Sequence, residues 1–190
     1  MQQLREATRS AHDRIEGALP LFTPGLTTRR YVGVLRALHG FYTPLEPLCH
    51  RAAGDAVAAL ELEARVKVPL LVADLTILGN APHDILALPI CQDLPDVTLA
   101  SQAMGVVYVL EGATLGGQGI RRHLIEVLDG DAVRGLAFFT GYGARTWEMW
   151  TRFGAHVEQA AGLDLDTAIV AAIQTFDTLE RWLSASLAGH

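Results

Sequence analysis

The chain has 190 residues, a length that suits one well-buried domain and is short for two. Half of the residues are hydrophobic and only 19% are charged, so the composition is more apolar than a soluble domain of this size requires. A net charge of −6, without any basic run longer than two residues, argues against contacts with a phosphate backbone. We therefore expect no nucleic-acid partner.

The apolar surplus does not come from a membrane span. The longest uncharged stretch of high hydrophobicity covers residues 97–110, which is too short to cross a bilayer. The N-terminus is charged and helix-like from its first residues, unlike a signal peptide. We expect a cytoplasmic protein without membrane contact. Its two cysteines, Cys49 and Cys91, lie far apart, and this spacing indicates buried thiols rather than a disulfide framework or a zinc cluster.

The apolar residues recur with a period close to 3.6 almost throughout, which predicts an all-α fold in a single domain over residues 1–190. No window alternates like a strand. Pro, Gly and capping residues then divide the chain into helices. The predicted order is a helix ending at Pro20, one capped by Thr27 or Thr28 and kinked or ended at Pro44 and Pro47, a short helix over 56–66, one starting at Pro69, a loop over 79–95, a long helix over 97–128 capped by Asp96, and helices over 144–161 and 165–187.

The long helix contains five glycines, which together cost about 4–5 kcal/mol of helix propensity relative to alanine. At about 100° per residue, four of them fall on one face of the helix. These four are Gly105, Gly112, Gly116 and Gly119. A stripe without side chains lets another body approach the backbone closely. That body is either a neighbouring helix or a flat, rigid ligand, and the spacing alone leaves both open.

The first helix carries a row of polar residues. Thr8, His12 and Glu16 are spaced four residues apart, with Arg5 one further turn back, so they share one face. A carboxylate one turn after a histidine can orient the imidazole, as it does in many metal sites. His12 also borders the apolar residues of the helix, so its ring is expected at the edge of the core. The row makes His12 a candidate metal ligand.

These two segments resemble a known family. Residues 4–16 (LREATRSAHDRIE) are similar to the proximal helix of heme oxygenases, and residues 108–118 (YVLEGATLGGQ) are similar to their glycine-rich distal helix. The likeness extends to Phe138-Phe139-Thr140, to Trp150 and Arg152, and to Thr175-Phe176, so it covers nearly the whole chain. It is closest to the bacterial, biliverdin-producing branch associated with bacterial phytochromes.

The resemblance implies a multi-helix fold that holds heme between a proximal helix and a kinked, glycine-rich distal helix. It implies oxidative cleavage of heme to biliverdin, with release of iron and carbon monoxide. Heme is then both cofactor and substrate, while dioxygen and external electrons are consumed. A ferredoxin or a reductase is the expected electron donor. A bacterial phytochrome as the acceptor of biliverdin is an analogy at the level of the family.

The resemblance also implies roles for single residues. His12 matches the axial ligand of the heme iron, and Gly112 and Gly116 match the distal backbone over the porphyrin, so these three form the expected catalytic set. The other residues expected to bind heme are Arg5, Thr8, Glu16, Tyr108, Gly117, Arg152 and Phe176. Among them, Thr8 and Glu16 match the proximal side. Arg5 and Arg152 match positions near the propionates, for which Arg145 is a further candidate.

This sequence departs from the mammalian pattern at one distal position. Ala113 stands where mammalian members have an aspartate, so ordered water in the pocket needs another anchor. Thr114 and the backbone carbonyls both remain possible anchors.

Three alternatives make different demands on the residues. A non-catalytic heme-binding or storage protein would use the same His12 ligand without turnover. A thiaminase-like enzyme of the same fold would use a cysteine nucleophile, for which Cys49 is the candidate. A ferritin-like di-iron site is disfavoured because it needs Glu-x-x-His pairs, and no glutamate in the chain has a histidine three residues later.

Overall fold

The computed structural model describes residues 1–54, 60–160 and 162–188, with the Asp131 side chain left out. These residues form α-helices, short 3-10 turns and connecting loops, without a strand among them, so the predicted all-α fold is confirmed. The α-helices are α1 (Gln2–Ala18), α2 (Thr28–Ala53), α3 (Val68–Ile77), α4 (Pro82–Leu86), α5 (Ala100–Val127), α6 (Ala137–Thr140), α7 (Thr146–Gln159) and α8 (Leu165–Leu187). The 3-10 turns are Pro20–Phe22, Leu62–Arg65, Gly130–Arg134 and Gly143–Arg145.

Helix α5 is the centre of the fold, since it packs against α2, α6, α7 and α8. Residues 103–111 of α5 are all buried. Gly105 is needed for the packing of α5 on α8, because a Cβ at this position would lie 2.1 Å from the carbonyl oxygen of Ala168. Only a residue without a side chain allows the two backbones to come this close.

Helix α1 packs on α8 through an apolar row and an ion-pair cluster beside it. Leu4, Ala11 and Ile15 are buried on the inner side of α1. Arg14 contacts both Asp177 and Glu180 of α8. The cluster is half-exposed, so its contribution to stability is small, but it restricts where α1 can lie on α8.

Helix α2 continues through both of its prolines. Pro44 and Pro47 lie inside α2, although the sequence predicts a kink or an end there. A proline leaves the carbonyl four residues earlier without its helical donor. For Pro44 that carbonyl belongs to Gly40, and it accepts a hydrogen bond of 2.9 Å from the backbone N–H of Cys91. The loop before α5 therefore supplies the bond that Pro44 removes.

Buried carboxylates from neighbouring helices cap two of the helix N-termini. Asp74 of α3 accepts hydrogen bonds of 2.7 and 2.8 Å from the backbone N–H groups of Ala137 and Phe138 in α6. Glu46 of α2 accepts one of 2.5 Å from the N–H of Lys67, at the start of α3. Free N–H groups at a helix N-terminus favour a carboxylate. These caps hold α2, α3 and α6 together.

Several predicted boundaries differ from the structure. Residues 56–59 of the helix expected over 56–66 lie outside the described residues, and Leu62–Arg65 is a 3-10 turn. The expected loop over 79–95 contains α4. The cap by Asp96 was wrong: α5 starts after Leu99, where the Gln102 side chain accepts from the N–H groups of Thr98 and Leu99 at 2.8 and 2.9 Å. Of the two candidate caps of α2, Thr27 is the residue used.

No helix in the described parts of the chain is long and apolar enough to span a membrane.

Candidate functional site

His12 lies on the outer edge of α1 with 53% of its side chain exposed. Its Nδ1 atom is 3.7 Å from a carboxylate oxygen of Glu16, which is an ion-pair distance and longer than a hydrogen bond. The edge of its ring meets Phe176 of α8, with ring centroids 6.1 Å apart. Glu16 lies nearest to Nδ1, so Nε2 is the nitrogen that a ligand would use.

A hydrogen bond joins α1 to α5 beside His12. The Thr8 hydroxyl donates to the Leu4 carbonyl at 2.8 Å, so its oxygen accepts from the Tyr108 hydroxyl, which lies at 3.3 Å. His12 and Gly112 each lie four residues beyond this bond on their own helix, a distance of about 6 Å along either axis. The Thr8–Tyr108 bond therefore brings the His12 row and the glycine helix into one region of the molecule.

The glycines of α5 divide into two groups. A Cβ added at Gly112, Gly116 or Gly119 would meet nothing within 4 Å, whereas Gly105 packs on α8 as described above. Gly117 has ordinary contacts with Phe139. Both explanations of the stripe therefore apply, each to different residues. We call Gly112, Gly116 and Gly119 the glycine face; it is bare backbone beside open space.

The arginines expected near a carboxylate-bearing ligand have different surroundings. Arg5 is exposed on α1, and Arg145 is exposed before α7. Arg152 is half-exposed on α7 and is already paired with Glu61 and, at 3.6 Å, with Glu148. Arg152 can bind a ligand carboxylate only by sharing or leaving Glu61. Arg5 is therefore the better placed of the two main candidates.

Thr114 is not on the ligand side of α5. Its hydroxyl donates to the Leu110 carbonyl at 3.0 Å, and a Cβ at Gly141 would lie 2.5 Å from its methyl group. The side chain is thus packed on the far side of the helix from the glycine face. Of the two water anchors that the sequence leaves open, the backbone carbonyls remain.

Residues that the sequence analysis gave no role form a buried polar network behind the glycine face. Glu111, which precedes Gly112, accepts hydrogen bonds from Arg65, from Lys67 Nζ at 3.0 Å and from the Tyr142 hydroxyl at 2.7 Å. Arg65, Lys67 and Glu111 are almost completely buried. Burial lowers the pKa of Lys67 and raises that of Tyr142, while Glu111 opposes the first shift and adds to the second.

Two features of the sequence point to this network. Lys67 is the only lysine of the chain, and Glu111 is the only charged residue between Asp96 and Arg121. A single charge inside a long uncharged helix is expected to have a buried partner. The sequence does not reveal which cation fills that role, since Arg65 and Lys67 reach Glu111 only through the tertiary fold.

The cysteines do not provide an alternative site. Cys49 and Cys91 are both buried free thiols, and burial raises the pKa of Cys49 to about 12. A thiol with so high a pKa is a poor nucleophile near neutral pH. The thiaminase-like alternative therefore lacks an activated cysteine at Cys49.

A half-exposed histidine on α1 and an open face of bare backbone on α5, on helices joined by the Thr8–Tyr108 bond, make up the candidate site of this helical protein. Comparison with known proteins gives the family. Residues 1–185 match the family model described as heme oxygenase, and the chain belongs to the heme oxygenase family. None of the curated proteins searched matches it significantly.

Proposed function

We propose that this protein is a heme oxygenase of the bacterial, biliverdin-producing type, working as a single domain in the cytoplasm. The observation that carries the proposal is the Thr8–Tyr108 hydrogen bond, which joins the helix of His12 to the helix of the glycine face. His12 offers one free imidazole nitrogen, and Gly112 and Gly116 offer backbone with open space in front of it. These residues fit heme.

When bound, heme supplies the iron that activates dioxygen and the porphyrin ring that is cleaved to biliverdin, with release of iron and carbon monoxide. The protein supplies binding and orientation. His12 would ligate the iron through Nε2, with Glu16 and Phe176 holding the imidazole in place. Arg5 pairs with a propionate as the first choice, and Arg152 does so if it exchanges Glu61 for that carboxylate.

The opposite side of the site is formed by α5. Gly112 and Gly116 admit the porphyrin and a diatomic ligand because they present no side chain, and Gly117 lets α5 lie close to Phe139 behind it. Backbone carbonyls of α5 anchor water for proton delivery, since Ala113 has no polar group and Thr114 faces away. Electrons come from an external donor such as a ferredoxin or a reductase, and a bacterial phytochrome is the proposed recipient of biliverdin.

The test is titration with hemin, followed by aerobic turnover with ferredoxin and its reductase or with ascorbate. We expect a Soret band at one heme per chain, its loss during turnover, and a bilin identified by chromatography. His12→Ala should change the ferric spectrum and reduce turnover about 100-fold or more, and added imidazole should restore part of both. His83→Ala, a change of an exposed histidine on α4, is the matched control.

Two results would contradict the proposal. If hemin binds and its Soret band persists under turnover conditions without bilin, the protein is a heme-binding or storage protein. If His12→Ala leaves the spectrum and turnover unchanged, His12 is not the ligand.

A further inference from the structure

Helix α5 has one face of glycines and one face of polar side chains, and these two faces point in nearly opposite directions. With Glu111 at zero and about 100° per residue, the glycine face lies between about 80° and 140°. A second set of residues lies between about −80° and 0°. We call this set the back face; its members are Glu111, Thr114, Gln118 and Arg121.

Every member of the back face contacts the segment of residues 136–146. Glu111, Gln118 and Arg121 form hydrogen bonds with it, and Thr114 packs on it. The Gln118 amide donates to the Thr140 carbonyl at 3.0 Å, and Arg121 donates to the Thr140 hydroxyl at 3.0 Å. Thr114 packs under Gly141, and Glu111 accepts from Tyr142. The glycine face, by contrast, has no side chains that could resist rotation of α5. Beyond the half of α5 that Gly105 and its buried neighbours hold on α8, the rotational setting of the helix therefore depends on the contacts behind it.

Glu111 has the strongest of these contacts. Lys67 uses its three donors on Glu111, on the Arg65 carbonyl at 2.7 Å and on the Tyr142 hydroxyl at 2.7 Å. Arg65 bonds Glu111, Glu61 and the carbonyls of Leu60 and Met149. A buried charge network of this kind contributes little net stability, but it tolerates only one geometry because any shift leaves a buried charge unpaired.

We propose that Glu111, held by Arg65, Lys67 and Tyr142, is the positioning residue that fixes the rotation of α5 and so keeps the glycine face turned toward the ligand site. This inference rests on the proposed function, because it takes the glycine face as one wall of the heme site. Glu111 itself touches no ligand; it acts through Gly112 and the backbone that follows.

The first test needs no heme. Amide hydrogen exchange of the ligand-free protein is compared for wild type, Glu111→Gln and the milder Tyr142→Phe. We expect exchange at residues 112–117 to accelerate about tenfold or more in Glu111→Gln, and less in Tyr142→Phe, with the amides of α8 little changed. Trp182→Phe removes a part-buried bond of 2.6 Å between the indole of α8 and the Ala37 carbonyl of α2, which involves no residue of α5, and is the control. Unchanged exchange at 112–117 in both variants would overturn the proposal.

The second test separates positioning from stability. Pairing Glu111→Gln with Lys67→Met removes the carboxylate together with one of its cations, so no lysine charge is left buried without a partner. We expect the double variant to regain most of the urea midpoint that Glu111→Gln alone loses. We also expect its ferrous carbonyl complex to keep an altered C–O stretching frequency and its affinity for gallium protoporphyrin to stay about tenfold weaker than wild type. Recovery of all three properties together would show a merely structural role and overturn the proposal.

The two proposals fail in different ways. If wild-type protein binds neither hemin nor gallium protoporphyrin, the proposed function fails, while the exchange experiment still decides whether Glu111 sets α5. If wild-type protein binds both and the Glu111 variants match it in exchange and C–O frequency, only the positioning role fails.

Discussion

Asp74 is completely buried, and its carboxylate lies at the N-terminus of α6, a helix of only four residues. Burial raises the pKa of Asp74, while the two N–H bonds from α6 act in the opposite direction. So short a helix does not persist by itself. The formation of α6, and the position of the segment that follows it behind α5, therefore require the Asp74 cap.

Replacing Asp74 should show the strength of this cap. We expect Asp74→Ala to lower the free energy of unfolding by about 2–3 kcal/mol, because it leaves two buried N–H groups without acceptors. Asp74→Asn should lose less, since one amide oxygen remains. Thr76→Ala, on the exposed side of α3, is the control and should change stability by about 0.5 kcal/mol or less. Urea unfolding measures all three; equal losses for Asp74→Ala and Thr76→Ala would contradict the assignment.

Helix α5 shows what its sequence can and cannot predict. Its C-terminal end and its stripe of glycines follow from local spacing, whereas its start at Ala100 was predicted three residues too early. Local spacing does not predict which glycine packs on another helix and which one faces open space. For Gly105 this depends on Ala168 of α8, more than 60 residues away in the chain. The same limit applies to Arg152, whose pairing with Glu61 joins distant segments. His12, Thr8 and Glu16 were predictable as a group because they share one helix face.

Alanine substitutions in α5 should have opposite effects on stability. We expect Gly116→Ala to stabilise the ligand-free protein by about 0.5–1 kcal/mol, because it gains helix propensity and meets no neighbour. Gly105→Ala should destabilise it by about 1–3 kcal/mol, because its Cβ would collide with the backbone of α8. Thermal unfolding measures both changes. Destabilisation by Gly116→Ala would mean that the glycine face is not open.

A larger side chain at Gly116 should weaken ligand binding, although alanine there is expected to stabilise the ligand-free protein. Gly116→Leu fills the open space in front of α5, so we expect about tenfold or more weaker binding of hemin without loss of folding. Wild-type affinity in this variant would move the ligand away from Gly116. The stability that glycine costs α5 is, on this view, the condition for admitting a ligand.

The stability of the whole molecule should fall in mild acid because of one buried histidine. His39 is 7% exposed, its Nδ1 atom has no hydrogen-bond partner among the described residues, and its Nε2 atom lies 3.4 Å from the Thr43 hydroxyl. Burial lowers the pKa of His39 in the folded protein from its ordinary value of 6.5. As the pH falls below 6.5, the unfolded chain takes up a proton that the folded chain refuses, and the unfolding free energy decreases.

His39→Leu should therefore flatten the pH dependence of unfolding just below pH 6.5, where wild type loses stability. Glu46 and Asp74 raise the unfolding free energy as the solution becomes more acidic, which is opposite to the effect of His39, because burial raises the pKa of both carboxyls. Their effect is common to variant and wild type, so the difference between the two isolates His39. Urea unfolding at several pH values measures it, and the exposed residue change His83→Leu should keep the wild-type slope. A variant slope equal to that of wild type would contradict this prediction.

Because Lys67 is buried, chemical labelling of its amine can measure how often the polar network around Glu111 opens. The chain has one lysine, and 1% of that residue is exposed. An amine-directed reagent reaches its side chain only in molecules whose polar network has come apart, so the rate at which Lys67 is labelled counts those molecules directly. Peptide mass spectrometry after timed labelling, which separates Lys67 from the N-terminal amine, thus follows how often the support of α5 opens, with and without heme.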